Sequence, residues 1–251
     1  MDAIVLAAGK GTRLRPLTED RPKGLVEVGG KPILEDCLDQ LVSLGVDHLV
    51  VVVGYEGGQI VDHFGDDHRG CPIDYAVQEE RDGVASALLA AEDEVESESF
   101  LVMLGDNVFR ANLGAVVAAQ EGDADGSVLV EEVPRSEASR YGVCRLDADG
   151  GIDTLVEKPD DPPSTLVATG MYSFTTAVFD DCRRIEPSDR GEYEISDAIS
   201  AYAEDNHVEP VRLEGWRVDV GYPADRDEVE RRLAGERAAS QESAGVVESS
   251  D

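Results

Sequence analysis

The sequence predicts an α/β domain, a mixed and mainly parallel sheet held between two layers of helices. Short apolar runs alternate with helix-patterned segments through the first 120 residues, as in parallel strands joined by crossover helices. From about residue 126 the pattern shortens to β-rich pieces separated by turn residues, which adds antiparallel strands to one sheet edge. At 251 residues the chain is long enough to bury a full core. One domain is expected over residues 1–235, with an alternating α/β half (1–120) and a β-rich half (121–235), and then an acidic, disordered tail (236–251).

In chain order, the expected strands of the first half are 3–8, 49–53, 73–77 and 100–104, and the helices between them are 32–44, 59–64 and 84–95. The first helix has proline in its opening turn, Leu34, Leu38, Leu41 and Val42 on one face, and Gly45 as its stop. In the second half the strands are 128–133, 142–146, 154–157 and 167–174, helices return at 176–185 and 194–204, and 218–220 is a last strand before a helix from about Ala224.

Composition excludes several functions. The 22 Lys and Arg stand against 54 Asp and Glu, a net charge of −32 that disfavours nucleic acid as a partner. Lysine is nearly absent, with four residues against eighteen arginines, which resembles proteins of salt-saturated cytoplasm. At molar salt the Debye length is about 3 Å, so such a surface no longer repels an anion beyond contact range. No apolar run is long enough for a membrane span and no secretory signal is recognised, so a cytoplasmic location away from membranes is expected. Cys37, Cys71, Cys144 and Cys182 are scattered, and His48, His63, His68 and His207 form no cluster, so neither a zinc site nor a disulfide framework is indicated. A homo-oligomer is compatible with all of this.

The most informative segment is Leu6-Ala7-Ala8-Gly9-Lys10-Gly11-Thr12-Arg13-Leu14, continuing to Pro22-Lys23-Gly24-Leu25. An apolar strand runs into a glycine loop whose backbone amides can approach an anion, with arginines and Lys23 close behind. The loop is not a P-loop, which needs Gly-x4-Gly-Lys-Ser/Thr, nor a dinucleotide fingerprint, since Leu14 stands where the third glycine belongs. This run resembles the signature of the sugar-nucleotidyltransferases, the nucleotide-sugar pyrophosphorylases, whose pattern residues 6–18 and 22–25 match throughout. The likeness extends to about residue 228. Within the family it resembles short haloarchaeal glucose-1-phosphate uridylyltransferases, and also the glucose-1-phosphate thymidylyltransferases.

The resemblance implies a three-layer Rossmann-like sheet, the nucleotide-diphospho-sugar transferase fold, with ligands at the carboxyl ends of the strands. It assigns Leu6, Ala8, Gly9, Gly11, Thr12, Gln78 and Gly83 to the nucleotide, the Gln78 amide both donating to and accepting from the imide edge of a pyrimidine and Gly83 allowing its close approach. It makes Arg13 and Lys23 the catalytic cations. Asp106, in Leu-Gly-Asp-Asn, and Asp219, in a Trp-x-Asp-x-Gly element lengthened by one residue, are assigned Mg²⁺. Gly142, Glu157, Lys158, Gly170, Tyr172 and Arg190 are assigned the sugar and its phosphate, so the resemblance makes residues 1–120 the nucleotide-binding half and 121–235 the sugar-binding half.

The implied reaction joins a pyrimidine nucleoside triphosphate to a sugar 1-phosphate: UTP and glucose 1-phosphate giving UDP-glucose for glycan synthesis, or dTTP giving dTDP-glucose. The two triphosphates share an imide edge, which the sequence does not separate. Two readings of other classes stay open, a non-catalytic regulatory subunit that binds nucleotide sugars and a small-molecule-binding domain without chemistry. Lys31 has no role in any of them.

Overall fold

The computed structural model describes residues 1–247. Along the chain the elements are β1 (Asp2–Leu6), the hairpin β2 (Glu27–Val28) and β3 (Lys31–Pro32), α1 (Ile33–Ser43), β4 (His48–Val53), α2 (Gly57–Phe64), β5 (Asp67–His68), β6 (Cys71–Val77), α3 (Val84–Leu89), β7 (Ser99–Leu104), β8 (Asn107–Ala111) and α4 (Gly114–Gln120). They continue with β9 (Gly126–Glu132), α5 (Arg135–Ala138), β10 (Gly142–Leu146), β11 (Ile152–Glu157), β12 (Leu166–Thr175), α6 (Val178–Arg184), α7 (Ile195–Tyr202), β13 (Val208–Arg212), β14 (Gly215–Asp219) and α8 (Pro223–Val247).

The main sheet runs β11-β10-β12-β7-β1-β4-β6-β5, with β9 on β12 and β13 on β9. Strands β7, β1, β4 and β6 are parallel, while β12 lies antiparallel on β7. Strand alternation sorts the apolar side chains into two layers. Ala3, Val5, Val51 and Leu101 pack with Leu34 and Leu38 of α1, Ile60 of α2 and Val116 of α4. Ile4, Val52 and Val102 pack on the opposite face with Leu88 of α3, Phe179 of α6 and Tyr202 of α7. The three-layer expectation therefore holds. A third cluster, including Leu14, Val28, Val218, Val229 and Leu233, seats the loop after β1 against β14 and α8.

Three departures from the sequence reading have physical causes. The expected helix 84–95 ends at Leu89 and resumes as a 3-10 turn over Glu92–Glu94, because three acids in a row oppose the negative end of a helix. Strand β13 went unpredicted since Pro210 interrupts it; it pairs only with β9, and an edge tolerates proline. Strand β8 was also unpredicted, and it pairs outside the main sheet with β14, Asn107 opposite Asp219. Of the tail expected to be disordered, residues 236–247 continue α8 and residues 248–251 lie outside the described residues. Among the described residues no helix is long and apolar enough to cross a membrane.

Candidate active site

The parallel strands reverse their spatial order at β1, since β4 and β6 lie to one side and β7 to the other. That switch point opens a crevice at the carboxyl ends of β1 and β7. Leu6 and Leu104 are in register, and the Gly105 amide donates to the Leu6 carbonyl at 3.0 Å, so the loops after the two strands leave the sheet side by side. A cavity of ≈ 260 Å³ sits there, walled by Leu6, Ala8, Gly9, Lys23, Gln78 and Gly83, with Asp106 at its rim. A side chain at Gly9 would meet no protein atom, so the bareness of this loop leaves room for something outside the chain. Gly11 and Thr12 lie off the cavity wall; the Gly11 carbonyl accepts a 2.7 Å bond from Thr18, and Thr12 opens the turn that buries Leu14.

A larger cleft of ≈ 800 Å³ shares Leu104 and Asp106 with the first cavity. Arg13, Gly142, Glu157, Lys158, Gly170, Tyr172 and Asp219 all line it. Asp106 and Asp219 are brought together by the β8–β14 ladder, with the Val220 amide bonded to the Asp106 carbonyl at 2.9 Å. Lys23 Nζ stands between them, 2.6 Å from Asp106 Oδ2 and 3.8 Å from Asp219 Oδ1. Burial, and next the charge of Asp106, push the Asp219 carboxyl up to about 6, while Lys23 and Arg217 pull it down. The repulsion from Asp106 outweighs the one ammonium that the two carboxylates share, and the Asp219 side chain keeps 45% exposure. Two hard oxygen donors with excess negative charge suit a divalent cation that takes its other ligands from phosphate and water. Among the described residues no cluster of three or more His, Cys, Asp or Glu offers a complete protein cage.

Arg13 lies over the Tyr222 ring, 5.0 Å from its centroid, with Nη1 3.3 Å from the hydroxyl. On the far wall Lys158, at φ 43°, turns Nζ back to Glu157 Oε1 at 2.7 Å. Arg190 is not among the residues that line the cleft. Its guanidinium bonds Glu194 at 2.7 Å and comes within 3.7 Å of Glu157, so Glu157 lies between two cations. Gly170, at φ 89°, lets the backbone pass Asn107 and Leu104, whose side-chain atoms a Cβ would meet at 2.9 and 3.0 Å.

Two expectations about Gln78 and Gly83 change. Gln78 was expected both to donate to and to accept from a pyrimidine, but Nε2 already bonds the Gly83 carbonyl at 2.9 Å and Ser86 Oγ at 2.7 Å. Gly83 was expected to admit the base, yet the face a Cβ would occupy is filled by the Tyr193 backbone. The extra residue between Trp216 and Asp219 has a clear outcome. Strand alternation puts Trp216 with Val218 on the third core cluster, where its Nε1 bonds Glu236 at 2.7 Å. Arg217 instead shares the cleft face with Asp219, its side chain 5% exposed, 3.2 Å from Glu131 and over the Tyr141 ring. Counting two residues back from Asp219 was the signal that would have found it. Asn107, which donates to Asp106 Oδ1 at 3.0 Å, was likewise overlooked. Lys31, unexplained by sequence, bridges Asp36 at 2.9 Å and Asp39 at 2.7 Å on α1.

A family model described as "Nucleotidyl transferase" matches residues 2–234. The UTP–glucose-1-phosphate uridylyltransferase AglF of Haloferax volcanii is 57% identical over 96% of this chain and 100% of its own length. A glucose-1-phosphate thymidylyltransferase of Streptomyces antibioticus is 36% identical over 93% of this chain, which spans 66% of that protein. A crystal structure of UDP-glucose pyrophosphorylase complexed with UDP-glucose superposes with a TM-score of 0.84 at 25% identity, covering 94% of this chain and 98% of that one.

Proposed function

The chain belongs to the nucleotidyl transferase family, and on that premise we propose that it joins UTP to glucose 1-phosphate, giving UDP-glucose and pyrophosphate. One observation carries the reading: two cavities, one behind the glycine loop and one lined by Glu157 and Lys158, meet at Asp106, where Lys23 sits between two carboxylates. The full-length likeness to the uridylyltransferase supports the choice of substrates. The likeness to a thymidylyltransferase supports dTTP as the second triphosphate to assay.

The chemistry is an in-line displacement. An oxygen of the sugar phosphate forms a bond to the α-phosphorus, the bond from that phosphorus to the β-bridging oxygen breaks, and pyrophosphate leaves with the electron pair. The attacking oxygen is already anionic, so no protein nucleophile is needed. The work lies in aligning two polyanions and offsetting their repulsion. In this proposal Lys23 leaves its carboxylates to bridge the α-phosphate and the attacking phosphate. Arg13 holds the departing pyrophosphate and is itself braced by Tyr222. Lys158 seats the sugar phosphate, with Arg190 reinforcing that wall, and Glu157 accepts from sugar hydroxyls beside Gly142, Gly170 and Tyr172. Asp106 and Asp219 would hold Mg²⁺, which supplies charge neutralisation on the triphosphate.

Pyrophosphate release, coupled to pyrophosphatase in high salt with Mg²⁺, tests the reading. Lys23→Ala and Asp106→Ala are each expected to lower turnover about 10²-fold or more while the chain stays folded. Near-normal turnover in either variant would overturn the residue assignment. Absence of UDP-glucose with the unaltered enzyme would overturn the function.

A further inference from the structure

The orientation of the Gln78 amide is determined by chemistry. The Gly83 carbonyl 2.9 Å away can only accept, so the atom facing it is Nε2. The second Nε2 hydrogen points at Ser86 Oγ, 2.7 Å away. Ser86 has one proton to give, and the Asp82 carboxylate, which can only accept, lies within hydrogen-bonding reach of it. The Gly83 carbonyl is the alternative acceptor, but it is 3.2 Å distant and uncharged, so the carboxylate takes the proton. Toward Gln78 the serine therefore offers a lone pair. Both amide hydrogens are thus held inside the protein, and no bond to Oε1 is made among the described residues. Gln78 is 7% exposed and lines the ≈ 260 Å³ cavity.

From this we infer that Asp82 and Ser86 are positioning residues that make Gln78 a pure acceptor toward the base, selecting a ring edge that carries an N–H. Uracil and thymine have that hydrogen on N3. Cytosine has a lone pair there, and two facing acceptors repel while the buried carbonyl is left unpaired. Asp82 orients Ser86, Ser86 orients Gln78, and Gln78 reads the base, all within residues 78–86 at the mouth of α3. The inference rests on the proposed function, because it assigns the 260 Å³ cavity to the base.

The test is steady-state kinetics with UTP, CTP and N3-methyl-UTP against glucose 1-phosphate. The unaltered enzyme is expected to prefer UTP over both others by about 10²-fold or more in kcat/KM. Ser86→Ala frees one Nε2 hydrogen. It should raise KM for UTP about tenfold and cut the UTP-to-CTP preference about tenfold, with kcat within about twofold. Ser86→Thr keeps the hydroxyl and should restore both. An unchanged preference in Ser86→Ala, or equal losses with UTP and CTP, would reduce Ser86 to a structural role and overturn the inference. Equal use of UTP and N3-methyl-UTP by the unaltered enzyme would overturn it without any variant. No turnover of any pyrimidine triphosphate by the unaltered enzyme would instead overturn the proposed function.

Discussion

Adding a single methyl group at Gly83 is expected to loosen both substrate sites at once. Gly83 has φ 138° and ψ 174°, a region essentially closed to other residues and worth about 1–3 kcal/mol of strain for alanine. The new Cβ would lie 2.7 Å from the Tyr193 carbonyl carbon, and closer still to its nitrogen and oxygen. Those atoms are backbone and cannot swing aside. Relief requires parting the two segments, which breaks the bonds from Tyr193 N to Asp82 O at 2.6 Å and from Ala85 N to Tyr193 O at 3.0 Å. Two lost backbone bonds cost about 1–3 kcal/mol, so with the strain Gly83→Ala should destabilise by about 2–6 kcal/mol. Tyr193 lies between Glu192 and Glu194, both partners of Arg190. The displacement should therefore raise KM for the sugar phosphate as well as for the triphosphate. Urea unfolding in high salt gives the first quantity and initial rates with each substrate varied give the second. A variant within about 0.5 kcal/mol of the parent, with both KM values unchanged, would refute the reasoning.

Two further outcomes are expected. Burial raises the Asp2 carboxyl, but the Ser97 and Glu96 amides, the Ser97 hydroxyl and His48 more than offset it, leaving its pKa below the ordinary value. A depressed folded pKa contributes stability that is present above the unfolded value near about 4 and is lost as pH falls through the folded one. The stability gap between the parent and Asp2→Asn should therefore be full at neutral pH and close on acidification below about 4; a gap independent of pH in denaturant titrations would contradict this. Lys31→Met should cost about 1–2 kcal/mol, because Asp36 keeps Arg110, and Asp39 keeps His68 and Arg69. Turnover should stay within about twofold, and a loss above tenfold in the pyrophosphate assay would place Lys31 in the catalytic machinery after all.

The central sheet was legible because its strands are uninterrupted apolar runs, as at Val50–Val51–Val52, buried on both faces by helices. The glycine loop and Lys23 were legible because their order along the chain is itself the pattern. What sequence hid depends on pairing. Strand β8 carries Arg110 and begins at Asn107, and only its ladder with β14 makes it a strand and sets Asp106 beside Asp219. Trp216 was read by its neighbours in the motif, whereas its side is decided by counting from Asp219 along an alternating strand. Gln78 was read as an amide with free donors and acceptors. Ser86, eight residues away in sequence, and the Gly83 carbonyl had already used the donors.

The crossings between the two halves of the chain bear on how it can be divided. Strand β7 has β12 as its outer neighbour, and β8 has β14 as its partner. A fragment cut at residue 120 would bare the edge Ser99-Phe100-Leu101-Val102-Met103 and strand Val108 and Phe109 without a mate. Such an open, apolar edge recruits other chains. The half up to residue 120 is therefore not a module that can be expressed or swapped alone. Re-engineering this scaffold means replacing loops between retained strands, and not exchanging the carboxyl-terminal half.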